Sequence, residues 1–87
     1  MARVFVPTLF RPLCDGQQDL NVPASTLEEL LRGIDALCPG FYERVVKNGR
    51  VRGELAVAID SEAATYPLHE PLRADAHVTI IPAIGGG

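Results

Sequence analysis

A chain of 87 residues holds one small domain and not two, and its 47% hydrophobic content excludes a disordered chain. The net charge is −3, and the basic residues are scattered with no aromatic stripe between them, so no nucleic-acid partner is expected. No stretch approaches the roughly 20 apolar residues of a membrane span, and the N-terminus lacks the charged region and apolar run of a signal peptide.

The first predicted element is a strand at Arg3-Val4-Phe5-Val6, ended by Pro7, which cannot donate to a ladder. Residues 9–13 then run toward a turn at Asp15-Gly16. Asp19-Leu20-Asn21-Val22 alternates polar and apolar, which predicts a second strand and a hairpin with a longish loop. Thr26 with Glu29 makes a capping box, and Ser25 with Glu28 offers the same pattern one residue earlier. Leu27, Leu30, Leu31, Ile34 and Leu37 form one stripe on a helix that Pro39-Gly40 stops. Gly33 lies off this stripe and costs about 1 kcal/mol against alanine.

Residues 41–46 suit a short helical turn, and Asn48-Gly49 is a turn signal. Val51, Leu55, Val57 and Ile59 alternate with smaller or polar residues, predicting a third strand centred on 55–59. Tyr66 is placed on a brief fourth strand, and Pro67 and Pro71 bracket a tight connection to Leu72. Val78-Thr79-Ile80-Ile81, rich in β-branched residues, is the last strand, closed by Pro82. This order of elements places one amphipathic helix on one face of a mixed sheet, an α+β architecture.

Alternation puts Val4, Val6, Val57, Ile59, Val78 and Ile80 on the face beneath the helix. Phe5, Thr79 and Ile81, with Ala56 and Ala58, then face the other way, where no second helix is available to cover them. An uncovered apolar patch marks a partner site. His69 and His77 have no matched ligands, and neither Cys14 nor Cys38 sits in a CxxC or Cys/His cluster, so no metal site is expected. The two cysteines are read as reduced thiols of a cytoplasmic protein, Cys38 buried at the helix end. Asp60 and Glu62 read as turn residues rather than paired catalytic carboxylates.

Only the end of the chain has no packing role. After Pro82 come Ala83, Ile84 and Gly85-Gly86-Gly87. Five extended residues reach at most about 16–18 Å, and glycines keep such a tail permissive and thin enough for a narrow channel. A terminal carboxylate is a poor electrophile until adenylated. A persulfide then displaces AMP toward a thiocarboxylate, and glycine leaves no Cβ to crowd the attacked carbonyl. The phosphate clamps and oxyanion donors for this step belong to a partner enzyme.

The run from Leu72 to Gly87, with a hydrophobic strand, a proline, a short apolar step and a terminal Gly-Gly, resembles the C-terminus of the MoaD/ThiS family of ubiquitin-like sulfur carriers. Val6-Pro7-Thr8-Leu9-Phe10-Arg11-Pro12 with Gly16-Gln17 resembles its CysO branch, and Thr26-Leu27-Glu28-Glu29-Leu30-Leu31 is similar to the family helix. The sequence departs from the family pattern at Ala74-Asp75-Ala76-His77, where many members have Gly-Asp, and at Asp60-Ser61-Glu62.

The resemblance implies a β-grasp fold over residues 1–82, with a mixed four- to five-stranded sheet, one main helix and a flexible tail over 83–87. It implies that Gly87 carries the adenylate and then the thiocarboxylate, with Gly85 and Gly86 as the leash and Phe5, Ile81, Pro82 and Ile84 meeting partners. Those partners are an E1-like adenylating enzyme that uses ATP, a rhodanese-type sulfurtransferase or other sulfur donor, a sulfur-accepting biosynthetic enzyme, and a metalloprotease acting at the tail. The chain is then a carrier rather than an enzyme, with no bound cofactor, serving cysteine or a specialised sulfur metabolite. Three rival readings are a MoaD-like small subunit of molybdopterin synthase, a protein modifier joined through Gly87 to lysines, and a plain binding module with an inert tail. Under the second, Lys47 is the one lysine open to self-linkage.

Overall fold

The computed structural model describes residues 1–82. The chain opens with a hairpin in which β1 (Ala2–Phe5) pairs antiparallel with β2 (Asp19–Val22), Phe5 opposite Asp19 and Val4 opposite Leu20. Between them, the segment read as an irregular run is a 3-10 helix, η1 (Thr8–Cys14), with Pro12 inside it. Its exit is a left-handed pair, Asp15 at φ 54° and Gly16 at φ 79°, which is why the turn dipeptide stands there.

Helix α1 (Leu27–Leu37) starts where the capping box predicts. Thr26 Oγ1 accepts from Glu29 N at 3.2 Å, and Ser25 N donates to Glu29 Oε1 at 2.7 Å. The alternative one residue earlier is not used, because Glu28 turns instead to Arg32 and Tyr42. Leu27, Leu30, Leu31 and Ile34 are buried as the stripe requires. Leu37 is not: it is 57% exposed, and Cys38 takes the buried place at the helix end. Gly33 also departs from its reading as a mere weak point, since a Cβ there would overlap Val22 Cγ1 on β2.

A short helix α2 (Phe41–Val45) follows, then a two-stranded ladder of β3 (Val46–Lys47) and β4 (Arg50–Val51) around Asn48-Gly49. Val51 therefore belongs to this ladder and not to the strand after it. The main sheet resumes with β5 (Leu55–Ile59) and β6 (Glu62–Ala64). Asp60 and Ser61 between them both have positive φ, 50° and 75°, the backbone that a two-residue hairpin loop demands. Tyr66 lies outside any strand. Its hydroxyl donates to the Glu62 carbonyl at 2.7 Å and pins the loop after β6.

The last strand, β7 (His77–Pro82), inserts between β1 and β5, parallel to the first and antiparallel to the second. The sheet order is β2-β1-β7-β5-β6, five strands under one main helix, the β-grasp arrangement. Val4, Val6, Val57, Val78 and Ile80 are buried beneath α1, while Ile59 is only half-buried.

The cysteines overturn the reading as free thiols: Cys14 and Cys38 form a disulfide. η1 folds back over the end of α1 and brings their Cα atoms to 4.6 Å, within bridging range. Nothing in the spacing of 24 residues foretells that approach.

Candidate functional site

The exposed face of the sheet can be built strand by strand from its register. Phe5 on β1 stands opposite Thr79 on β7, and Thr79 stands opposite Ala58 on β5. Successive side chains alternate faces, so these three share the face away from α1. One step toward the C-terminal end of β7, Ile81 pairs with Ala56. Phe5 is 41% exposed and Ile81 36%. The small alanines beside them leave a shallow apolar surface. Its far end is polar, with Arg3 opposite both Asn21 and His77, and Asp19 beside Phe5.

One residue that the sequence did not place at the patch borders it, and another of the same segment lies exposed by a cleft near Leu55. Arg11 donates from Nε to the Val6 carbonyl at 3.0 Å, which holds its guanidinium carbon 5.4 Å from the Phe5 ring centroid. That is a cation–π placement. Leu9, in the same turn of η1, is 61% exposed. No periodicity marks either residue. The available signals were Pro7 and Pro12, which bracket the segment, and the resemblance of the run Val6–Pro12 to the CysO branch, neither of which gives these residues a role.

The described chain ends one residue beyond Ile81. Pro82, the last residue of β7, pairs with Leu55, the first of β5. Beside that pair is an open cleft lined by Leu9, Phe10, Glu43, Arg44, Arg52 and Leu55. Arg52 spans it, donating from Nη2 to the Glu43 carbonyl at 2.8 Å. Phe5 and Ile81 thus share the outer face, and Pro82 follows Ile81 at the end of β7 with its register partner Leu55 on the core side. Ile84, Gly85, Gly86 and Gly87 lie outside the described residues.

The remaining titratable residues weighed from sequence are structural. Asp60 Oδ1 accepts from the His77 backbone N–H at 3.0 Å, and Asp60 N donates to the His77 carbonyl at 2.8 Å. Together they clamp the start of β7 to the end of β5. A second polar cluster sits on the helix side. The Tyr42 hydroxyl donates to Glu28 Oε1 at 2.7 Å, and Arg32 Nε donates to Glu28 Oε2 at 2.6 Å. The Tyr42 hydrogen bond, with help from Arg32, holds the Glu28 carboxyl below its usual range. Burial and the same bond push the Tyr42 phenol up. Asp35 accepts from Tyr42 N at 2.9 Å, so the cluster fastens α2 to α1. Among the described residues, no group of three His, Cys, Asp or Glu could hold a metal ion, and no helix is long and apolar enough to cross a membrane.

The sequence matches the model of the ThiS family over residues 9–87. Three solved structures share the fold. A chain in the crystal structure of the Amycolatopsis orientalis BexX/CysO complex is 22% identical, with both chains covered fully and a TM-score of 0.91. Mycobacterium tuberculosis CysO, described as an antigen, is 24% identical over 97% of this chain and 100% of its own, with a TM-score of 0.89. Small archaeal modifier protein 1 from Methanosarcina acetivorans is 16% identical over 99% and 95%, with a TM-score of 0.79. No curated protein matches the sequence.

Proposed function

The chain belongs to the ThiS family of sulfur carriers, and from that premise we propose that its sulfur rides on the carboxylate of Gly87 as a thiocarboxylate. The observation that carries this reading is that the family match runs through the last residue, over Gly85-Gly86-Gly87. The chemistry balances in three steps. The Gly87 carboxylate attacks the α-phosphate of ATP and expels pyrophosphate, giving an acyl-adenylate. The terminal sulfur of a donor persulfide then attacks that carbonyl, AMP leaves, and an acyl disulfide forms. A thiol reductant cleaves its S–S bond and releases the thiocarboxylate. The domain contributes no catalytic group to these steps; it is the cosubstrate of an E1-like adenylating enzyme.

What the fold contributes is presentation. The tail follows the end of β7, a strand paired on both sides up to Thr79, and Phe5 and Ile81 stand on the uncovered face of that strand pairing. A partner that grips this face has the tail at its own active site. The Amycolatopsis structure holds CysO in complex with BexX, and by that precedent a sulfur-accepting biosynthetic enzyme is the later partner here. The product, cysteine or a specialised sulfur metabolite, follows from which enzyme that is. Ile84 and Gly85 and Gly86 serve as the leash into its channel.

The likeness to a small archaeal modifier protein favours one second reading, conjugation through Gly87 to lysines of other proteins. One experiment separates the two. The chain is incubated with ATP, an E1-like enzyme and a persulfide donor, and intact mass is recorded beside a denaturing gel. A mass gain of one oxygen-to-sulfur exchange, lost on deletion of Gly87, supports the carrier. Lysine-linked adducts without that exchange would replace it with the modifier.

A further inference from the structure

The segment η1 is fastened to the rest of the fold at few points. Among the described residues, every backbone hydrogen bond made by residues 8–14 stays within residues 7–17. Its remaining attachments are the Phe10 ring against Phe41 at 5.3 Å between centroids, the partly buried Leu13, the Arg11 side chain on the Val6 carbonyl, and the Cys14–Cys38 disulfide. The disulfide joins the last residue of η1 to the residue that caps α1. It is the only covalent one of the four. With Phe10 and Cys14 in the core and Leu13 packed on it but no ladder to the sheet, such a segment opens locally at lower cost than the sheet. Cys14 is 3% exposed and Cys38 0%, so a reductant reaches the sulfurs only when η1 lifts.

We propose that the Cys14–Cys38 bridge is a redox clasp on η1, holding Arg11 against Phe5 at the edge of the Phe5–Ile81 face when oxidised and releasing it when a dithiol reduces the bridge. In the step, a dithiol thiolate attacks one cysteine sulfur and the Cys14–Cys38 bond breaks. The second thiol then closes on the mixed disulfide. The dithiol leaves as a disulfide, and two electrons and two protons remain as two cysteine thiols. Intracellular disulfides are commonly transient and redox-sensing, and the carrier chemistry proposed above itself consumes a thiol reductant. That release of the edge weakens partner docking rests on that proposed function; the order of η1 does not.

The test is hydrogen exchange on the full chain, oxidised and after anaerobic reduction with dithiothreitol, with bridge state checked by alkylation and mass. Reduction is expected to bring amides of residues 8–16 to within about tenfold of unstructured rates, while β1 and β7 stay protected at least about a hundredfold. The double variant Cys14→Ala/Cys38→Ala should match the reduced chain and be indifferent to dithiothreitol. Three results overturn the clasp: residues 8–16 stay as protected as before, the whole chain loses protection together, or the bridge is reduced no faster than the chain unfolds globally. With an adenylating enzyme that loads the oxidised chain, KM should rise about tenfold on reduction with kcat unchanged, the loss of roughly one good contact. An unchanged KM removes the regulatory role. If no enzyme loads the oxidised chain, the carrier reading fails while the exchange data still decide the clasp.

Discussion

Replacing Gly33 with alanine sets two physical effects directly against each other. In an exposed helix interior the change should stabilise, because glycine costs about 1 kcal/mol relative to alanine. Here, however, the new Cβ would overlap Val22 Cγ1. Val22 is 2% exposed and β-branched, so it can yield only by leaving its rotamer well or by pushing α1 off β2. Overpacking of this kind costs about 1–3 kcal/mol, which exceeds the propensity gain. Gly33→Ala should therefore lose about 1 kcal/mol net, read as a drop of roughly 4–8 °C in Tm for a domain of this size. The pair Gly33→Ala/Val22→Ala should show favourable coupling of about 1 kcal/mol or more in a double-mutant cycle. Denaturant melts of the four chains measure both. A Gly33→Ala chain more stable than the parent would refute the close approach.

Opening the disulfide closes off a further source of stability. A 24-residue separation implies about 3.5 kcal/mol of chain entropy, so reduced protein should melt roughly 15–25 °C lower by calorimetry. Phe5→Asp and Ile81→Asp sit on exposed positions and should shift Tm by only a few degrees. Each should nevertheless raise the KM for adenylation about tenfold, measured by pyrophosphate release, if the face docks the enzyme. Tyr42→Phe removes the strongest support of the lowered Glu28 carboxyl. A lowered folded value gives stability that is present above the ordinary value of 4.5 and is lost as pH falls through the folded value. The variant should therefore lose about 1 kcal/mol near neutral pH and show a Glu28 titration moved back up toward 4.5 by NMR.

The parts of the fold legible in the sequence are those encoded by local pattern. Alternation in β1, β2, β5 and β7 assigned the buried and exposed faces, and Phe5 and Ile81 fell on the outer face as that pattern requires. The capping box fixed the start of α1. What was missed depends on distant segments meeting. Gly33 reads as a weak helix residue until β2 is laid against it. Cys14 and Cys38 read as separate thiols until η1 folds over the end of α1. Tyr66 has strand propensity, yet its hydroxyl bond to Glu62 fastens a loop. Arg11 belongs to the candidate site through one carbonyl and one ring, Val6 and Phe5, a placement no spacing rule encodes.

The place of β7 suits the proposed role of a small domain that offers its own end to another protein. A tail drawn into a partner's channel loads the strand it leaves. An edge strand would peel, since each residue freed loses bonds on its single paired side. β7 is paired on both sides, over Val78–Pro82 with β5 and over His77–Thr79 with β1. Near the end of the strand the pairing is one-sided, Ile80 with Val57, Ile81 with Ala56 and Pro82 with Leu55, and since only Ile80 of the three is buried, a pull first frees Pro82 and Ile81. Peeling then stops where Thr79 is held between Phe5 and Ala58. The leash can thus lengthen by a residue or two at small cost while the buried Val78 and Ile80 hold the core. Ile81, which peeling would lift directly after Pro82, also belongs to the proposed docking face. A partner gripping that face would therefore oppose the peeling and keep the end of β7 in the sheet while the residues beyond it are threaded.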